Sequence, residues 1–183
     1  MKFEDGIKIC TLVVASIGAA MAIFTYIKAQ KWKKVEFLAK VMKEFYEDFN
    51  VKRALLMLDW SVFKIPLANG EIDKKEYFLF SDKLLLSALI HHEEKLNGAF
   101  TQEEALIRLL FDTLFEKLTT IQNYLDNRLF SFKDLKPHLV YYMKIIGDPE
   151  SKRKDDVVRK QIISYIQNYQ ESQTMRLIER FNK

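Results

Sequence analysis

Residues Ile9–Ile27 read ICTLVVASIGAAMAIFTYI, nineteen positions without a charge or a proline. A helix of that length, rising about 1.5 Å per residue, covers about 30 Å, the hydrocarbon thickness of a bilayer. Lys8 and Lys28 bracket the stretch, and Tyr26 and Trp32 lie where interfacial aromatic residues belong. A cleavable signal peptide would have a shorter apolar core and a positive leading segment, whereas Lys2, Glu4, Asp5 and Lys8 cancel. The small residues from Ala15 to Ala22 lie mid-segment, a poor place for cleavage. A buried core helix rarely lacks every charge over this length. The stretch reads as a retained membrane span.

The flanks set an orientation. Lys28, Lys31, Lys33 and Lys34 crowd the C-terminal side with Trp32 among them, and the N-terminal side is neutral. The positive-inside rule then leaves a short N-terminus outside and the following domain in the cytoplasm. If the cell is bacterial, the membrane is the inner one. These five residues are the expected membrane-interface set.

Composition agrees with one span and one domain. Mean hydropathy is −0.15, low for several spans, so the apolar residues must be concentrated. Five Gly and three Pro in 183 residues point to long helices. A net charge of +4 suits anionic phospholipid but is too weak to imply nucleic acid. A single cysteine, Cys10, excludes an internal disulfide framework and a multi-cysteine metal site. We expect residues 1–30 to be a transmembrane anchor and 31–183 a cytoplasmic helical bundle, all-α throughout.

Within the span, Thr11, Ala15, Gly18, Ala22 and Thr25 are spaced 4, 3, 4, 3 and form one stripe of small or hydroxylated residues. Cys10, Val14, Ile17, Met21 and Phe24 form a bulkier neighbour stripe. Lipid does not drive helices together, so close backbone approach at small residues is a main source of association. The small stripe either packs against copies of itself or lines a narrow lumen. Small residues are also simply common in spans.

Beyond the span, Val35, Leu38, Met42, Phe45 and Phe49 continue the helix as an amphipathic one. A second helix starts near Asn50. SVFKIPLANGEIDKK then breaks the pattern with Pro66 and Asn69-Gly70, the only place for a short hairpin. Ser81 suits the cap of a helix running through His91-His92-Glu93-Glu94 and ended by Asn97-Gly98. Thr101-Gln-Glu-Glu104 is a capping box, opening a helix with an apolar face at Leu106, Leu109, Leu110, Thr113, Leu114 and Leu118. Ser131 with Asp134 caps a helix carrying Leu139, Tyr142, Met143 and Ile146, with Gly147 as its C′ residue. Asp148-Pro149 suits the next start, and Val158, Ile162, Tyr165, Ile166 and Tyr169 form the next stripe. Leu177, Ile178 and Phe181 lie beyond it, and about six helices result.

Catalytic signatures are scarce. The sequence holds no P-loop, no G-x-G-x-x-G, no G-x-S-x-G and no H-E-x-x-H. His91-His92-Glu93-Glu94 looks like a metal cluster, but neighbours on a helix point about 100° apart and cannot chelate one ion. No metal or cofactor is expected. Residues 151–160, SKRKDDVVRK, form the densest charge run, by default a solvated helix start. Direct RNA binding there is open, with two aspartates diluting the charge. In NRLFSFKDLKPH, Arg128 and His138 carry a sharper alternative. An imidazole can move a 2′-OH proton while a guanidinium stabilises phosphorane charge. The bland alternative has Arg128 closing one helix near its C-terminus, where a cation is welcome, and His138 half-buried on the next.

One N-terminal span, a lysine-rich juxtamembrane helix and a compact helical domain with an isolated Arg128…His138 pair resemble the small membrane accessory proteins of type VI-B CRISPR systems. That resemblance implies a divergent HEPN-like bundle, ring-shaped assembly as a membrane pore, and an RNA-guided, RNA-cleaving effector as functional partner in antiphage defence. The HEPN signature is Arg, four to six residues, then His. Here nine residues intervene, which departs from it and weighs against nuclease activity. The rivals are a membrane-tethered RNase and a single-span anchor that recruits a cytoplasmic partner.

Overall fold

The structure, a computed structural model, describes residues 3–66, 77–95, 99–170 and 172–183, with side chains from Thr11 onward apart from Pro66. Asn69-Gly70 and Asn97-Gly98 lie outside the described residues. The described chain is mostly helical, with seven α-helices and one two-stranded hairpin.

The first helix, α1, runs unbroken from Phe3 to Glu47. The apolar stretch and the amphipathic stretch are thus one rod, as the absence of proline predicts. Its turn-over is local. Asp48 leaves the helical conformation, and its carboxylate accepts from the N–H groups of Asn50 and Val51 at 2.9 and 3.1 Å. That cap opens α2, Phe49–Asp59. Phe49 therefore belongs to α2 and stays exposed, whereas Leu38, Met42 and Phe45 bury as the spacing predicts.

The hairpin follows. β1 (Val62–Pro66) pairs antiparallel with β2 (Tyr77–Ser81), Val62 opposite Ser81 and Ile65 opposite Phe78. Ile65, Phe78 and Phe80 enter the core, while Val62, Tyr77 and Leu79 stay exposed. The bundle is thus mostly helical, with this one short hairpin in the stretch where the sequence admitted it.

Ser81 caps α3, Asp82–Ala88, through its hydroxyl and the N–H of Leu84. α3 is much shorter than predicted, and His92–Glu94 form a separate 3₁₀ turn. The cause is tertiary. Arg108 donates to the carbonyls of Ala88 and Ile90 at 2.9 and 3.0 Å, and Gln161 donates to that of Leu89 at 2.8 Å. Acceptors that would continue the helix are thus held by other elements.

α4, Gln102–Asp126, opens with the predicted capping box, both halves present at Thr101 and Glu104. It is the central helix and packs against α2 and α3. Its buried face is rotated from the predicted one. Ile107, Phe111 and Phe115 join Leu110, Leu114 and Leu118 inside, and Leu109 is exposed. Ser131 caps α5, Phe132–Gly147, as predicted.

Gly147 is the last residue of α5 rather than a C′ residue beyond it. A methyl group there would collide with Asn182 and come within 2.6 Å of Ile178, so the glycine makes room for the C-terminal helix α7, Ser172–Phe181. α6 spans Asp156–Tyr169 and starts well after Asp148-Pro149. The intervening loop is pinned by Lys154, whose buried ammonium donates to the Trp60 carbonyl at 2.9 Å and to Asp82. Arg159 is also buried and pairs with Asp156. The charge run 151–160 is therefore partly built into the fold rather than a solvated face.

Candidate functional site: the exposed helix and the turn that holds it

Every described side chain of α1 from Thr11 to Glu36 is exposed except that of Gln30, which is half-buried. Leu12, Ile17 and Phe24 show 71, 56 and 70% of their surface. This is one helix long and apolar enough to cross a membrane, with none of its apolar window buried. So much exposed apolar surface is untenable in water, and a lipid or protein environment must cover it. Thr11, Ala15, Gly18, Ala22 and Thr25 share one exposed face, and nothing lies within 4 Å of the place a Gly18 Cβ would occupy. Thr25 donates to the Met21 carbonyl and Ser16 to that of Leu12, both at 2.8 Å. These hydroxyls are satisfied inside the helix, so both can face an apolar medium without an orphaned donor.

At the lower end Lys28, Lys31, Trp32 and Lys33 are exposed, Trp32 by 67%. Lys34 has another role. Its ammonium donates to the main-chain carbonyl of Arg128 at 2.8 Å. Three residues further on, the Phe37 ring meets Tyr124 edge-on at 5.2 Å and Phe130 at 6.2 Å. Lys34 and Phe37 therefore clasp the α4–α5 turn to α1 where the helix enters the domain. Further down, the Tyr46 hydroxyl donates to the His138 carbonyl, and Lys117 faces Asp48 across 3.8 Å.

The α4–α5 turn is built in a specific way. Arg128 N–H donates to the Leu125 carbonyl and Leu129 N–H to that of Tyr124, both at 3.0 Å. With Asn127 as C-cap this is a Schellman motif, and Arg128 occupies its left-handed position at φ 57°. Glycine is the usual occupant. A residue with a Cβ costs about 1–2 kcal/mol there. Arg128 does close α4, and its side chain is exposed with no hydrogen bond, ion pair or ring contact among the described residues. His138 is exposed on α5, where its carbonyl accepts from Tyr46. No interaction joins the two side chains.

The histidine cluster is likewise structural. His91 caps the 3₁₀ turn, and its ring stacks on Tyr169 at 5.4 Å. His92 meets the Tyr169 hydroxyl through both its N–H, at 2.8 Å, and its ring nitrogen, at 2.7 Å. Among the described residues no three His, Cys, Asp or Glu side chains are grouped to hold a metal ion.

The burial of several charged groups carries no signal in the sequence, Glu104, Lys154 and Arg53 among them. Burial opposes ionisation of Glu104, but hydrogen bonds from Lys95 at 2.5 Å, Ser87 and Thr101 outweigh it and hold its carboxyl below the usual range. Burial pushes the Lys154 ammonium down, partly countered by Asp82. Arg53 is the odd one. It is 5% exposed, lies over the Phe49 ring at 3.9 Å, and leaves Nε and Nη2 buried without an acceptor. Burial lowers its affinity for the proton. A cation inside an apolar stripe carries no sequence signal beyond the residue itself.

Comparison with protein-family models, with curated proteins and with solved structures finds no match.

Proposed function

We propose that the protein is a single-span membrane protein that assembles with copies of itself through α1, forming a narrow pore, with the domain on the cytoplasmic side. One observation carries this reading: a continuous 45-residue helix whose face at Ala15, Gly18, Ala22 and Thr25 is exposed and whose apolar surface from Leu12 to Val35 stays uncovered among the described residues. Backbones can approach closest at Gly18, where no other side chain intervenes. α1 also continues rigidly into the domain, so a displacement of the bundle is carried to the span without a hinge. By the resemblance described above, the physiological setting is CRISPR RNA-targeting antiphage defence. There the domain answers to an RNA-guided, RNA-cleaving effector and opening dissipates the membrane potential.

The anchored partner-binding module is the reading in second place. The exposed outer face of the hairpin, with Val62, Tyr77 and Leu79 beside Trp60, favours it. An RNase gains nothing from the geometry, because Arg128 serves as a helix cap and His138 has no contact with it.

The deciding experiment is the mass of the full-length protein purified in detergent, from size exclusion with light scattering. A discrete species of many copies, reduced to monomer by Gly18→Leu, supports assembly through the stripe and calls for conductance measurements. A monomer for the unaltered chain overturns the pore in favour of the anchored module.

A further inference from the structure

We infer that the α4–α5 turn is a second bilayer contact, which presents Arg128 and Leu129 to anionic lipid headgroups around the span; this rests on the membrane reading above. The first support is position. The Lys34 ammonium holds the Arg128 carbonyl, and helical side chains lean toward the helix N-terminus, so the turn lies on the span side of the Lys34 backbone. From Ile27, the last residue of the apolar stretch, to Lys34 is seven residues, about 10 Å of rise. The headgroup layer occupies about 5–8 Å beyond the hydrocarbon. The turn therefore sits at the outer margin of the headgroups, and helix tilt brings it closer. An extended arginine side chain covers the remaining distance.

The second support is the choice of residue. Position 128 needs a left-handed conformation that glycine adopts freely, yet it holds an exposed arginine whose guanidinium contacts nothing among the described residues. The strain has no return inside the protomer, so the return lies outside it. Leu129, next in the turn, leaves 40% of its surface open, an apolar residue beside a cation as interfacial segments have.

The third support is charge. Lys133 is exposed in the first turn of α5, and Arg180 stacks over Phe132 at 5.0 Å, which brings the last turn of α7 to the same end. With Lys28, Lys31 and Lys33 on α1 these make a cationic collar. Of the nearby acids, Asp126 is paired with Arg176, while Asp134 accepts from the Ser131 hydroxyl and keeps its charge. Asp134, Glu36 and Glu179 are thus three acids against the six cations Lys28, Lys31, Lys33, Arg128, Lys133 and Arg180. Phosphate oxygens of an anionic bilayer are the partner that this collar fits.

The test uses full-length protein in vesicles of phosphatidylcholine with phosphatidylglycerol. A nitroxide is placed at Leu129→Cys in a Cys10→Ser background, with comparison labels at Ile23→Cys in the span and Lys160→Cys on α6. Nickel chelated to the headgroups should strongly relax the label at 129 and leave that at 160 unaffected. Adding Arg128→Gly should lower the ratio of docked to undocked turn about fivefold. The same change should leave the thermal midpoint level or raise it, since glycine suits the left-handed position. That opposition separates a lipid contact from a folding role. Relaxation at 129 no stronger than at 160, or unchanged by Arg128→Gly, overturns the proposal while the span stands. A label at 23 that oxygen does not relax as in hydrocarbon overturns the span, and the proposal with it.

Discussion

The two halves of α1 are one helix with two kinds of surface. In the inner half Leu38, Met42 and Phe45 are 4, 3 and 2% exposed, and the charged residues between them face water. In the outer half apolar residues point in all directions, and Leu12, Ile17 and Phe24 are each more than half exposed. A periodic apolar stripe marks a helix that shares its surface between protein and water, whereas all-round apolarity marks one that meets a single apolar medium. Backbone geometry is the same in both, so the difference between the halves lies in their side chains alone.

The sharpest way to break this comparison is to delete the same side chain from each half. Phe45→Ala removes a ring that is nearly fully buried and packs edge-on against Tyr46 at 5.2 Å. It should cost about 4 kcal/mol of domain stability in denaturant titrations of the full chain in detergent. Phe24→Ala, on the outer half, should stay within about 0.5 kcal/mol in the same assay. Equal losses would mean that the outer half packs against its own domain, contrary to the geometry.

A charge sharpens the comparison from the other side. Ala15→Arg places a guanidinium near the middle of the apolar stretch and should cost about 3 kcal/mol of insertion, read as the inserted fraction in a glycosylation-mapping assay. Ala39→Arg, on the exposed side of the inner half, should leave insertion unchanged. Equal insertion of Ala15→Arg and the unaltered chain would remove the span.

The same contrast explains what could be read in advance. Signals that act within a few residues were legible: the apolar run of α1, the caps at Ser81, Thr101 and Ser131, and the break that became the hairpin. What depends on distant partners was not. α3 stops early because Arg108 and Gln161 take its last carbonyls. Gly147 reads as a helix terminator but serves the close approach of α7. Lys154 and Arg159 read as solvated charges and are buried through partners. At the candidate site, the lysines and small stripe of α1 were visible by periodicity. The clasp of Lys34 on Arg128 was not, because the left-handed turn it holds carries arginine where sequence rules look for glycine.

The smallest predicted effect concerns a buried charge of the domain that, unlike Glu104, Lys154 and Arg159, has no charged partner among the described residues. The outer half of α1 excludes charge from an apolar medium, yet Arg53 sits buried on α2 with two guanidinium nitrogens unpaired. Burying a cation without an acceptor is unfavourable, and its stem and the Phe49 ring return only part of that cost. Arg53→Met keeps most of the stem's volume and removes the charge. In denaturant titrations it should leave stability unchanged or raise it by about 1 kcal/mol. A loss of about 3 kcal/mol instead would show that the guanidinium has an acceptor in the assembled protein. If that loss appears only in the multi-copy species and not in the monomer, the acceptor comes from a neighbouring copy, and Arg53 is then an assembly contact rather than a flaw in the core.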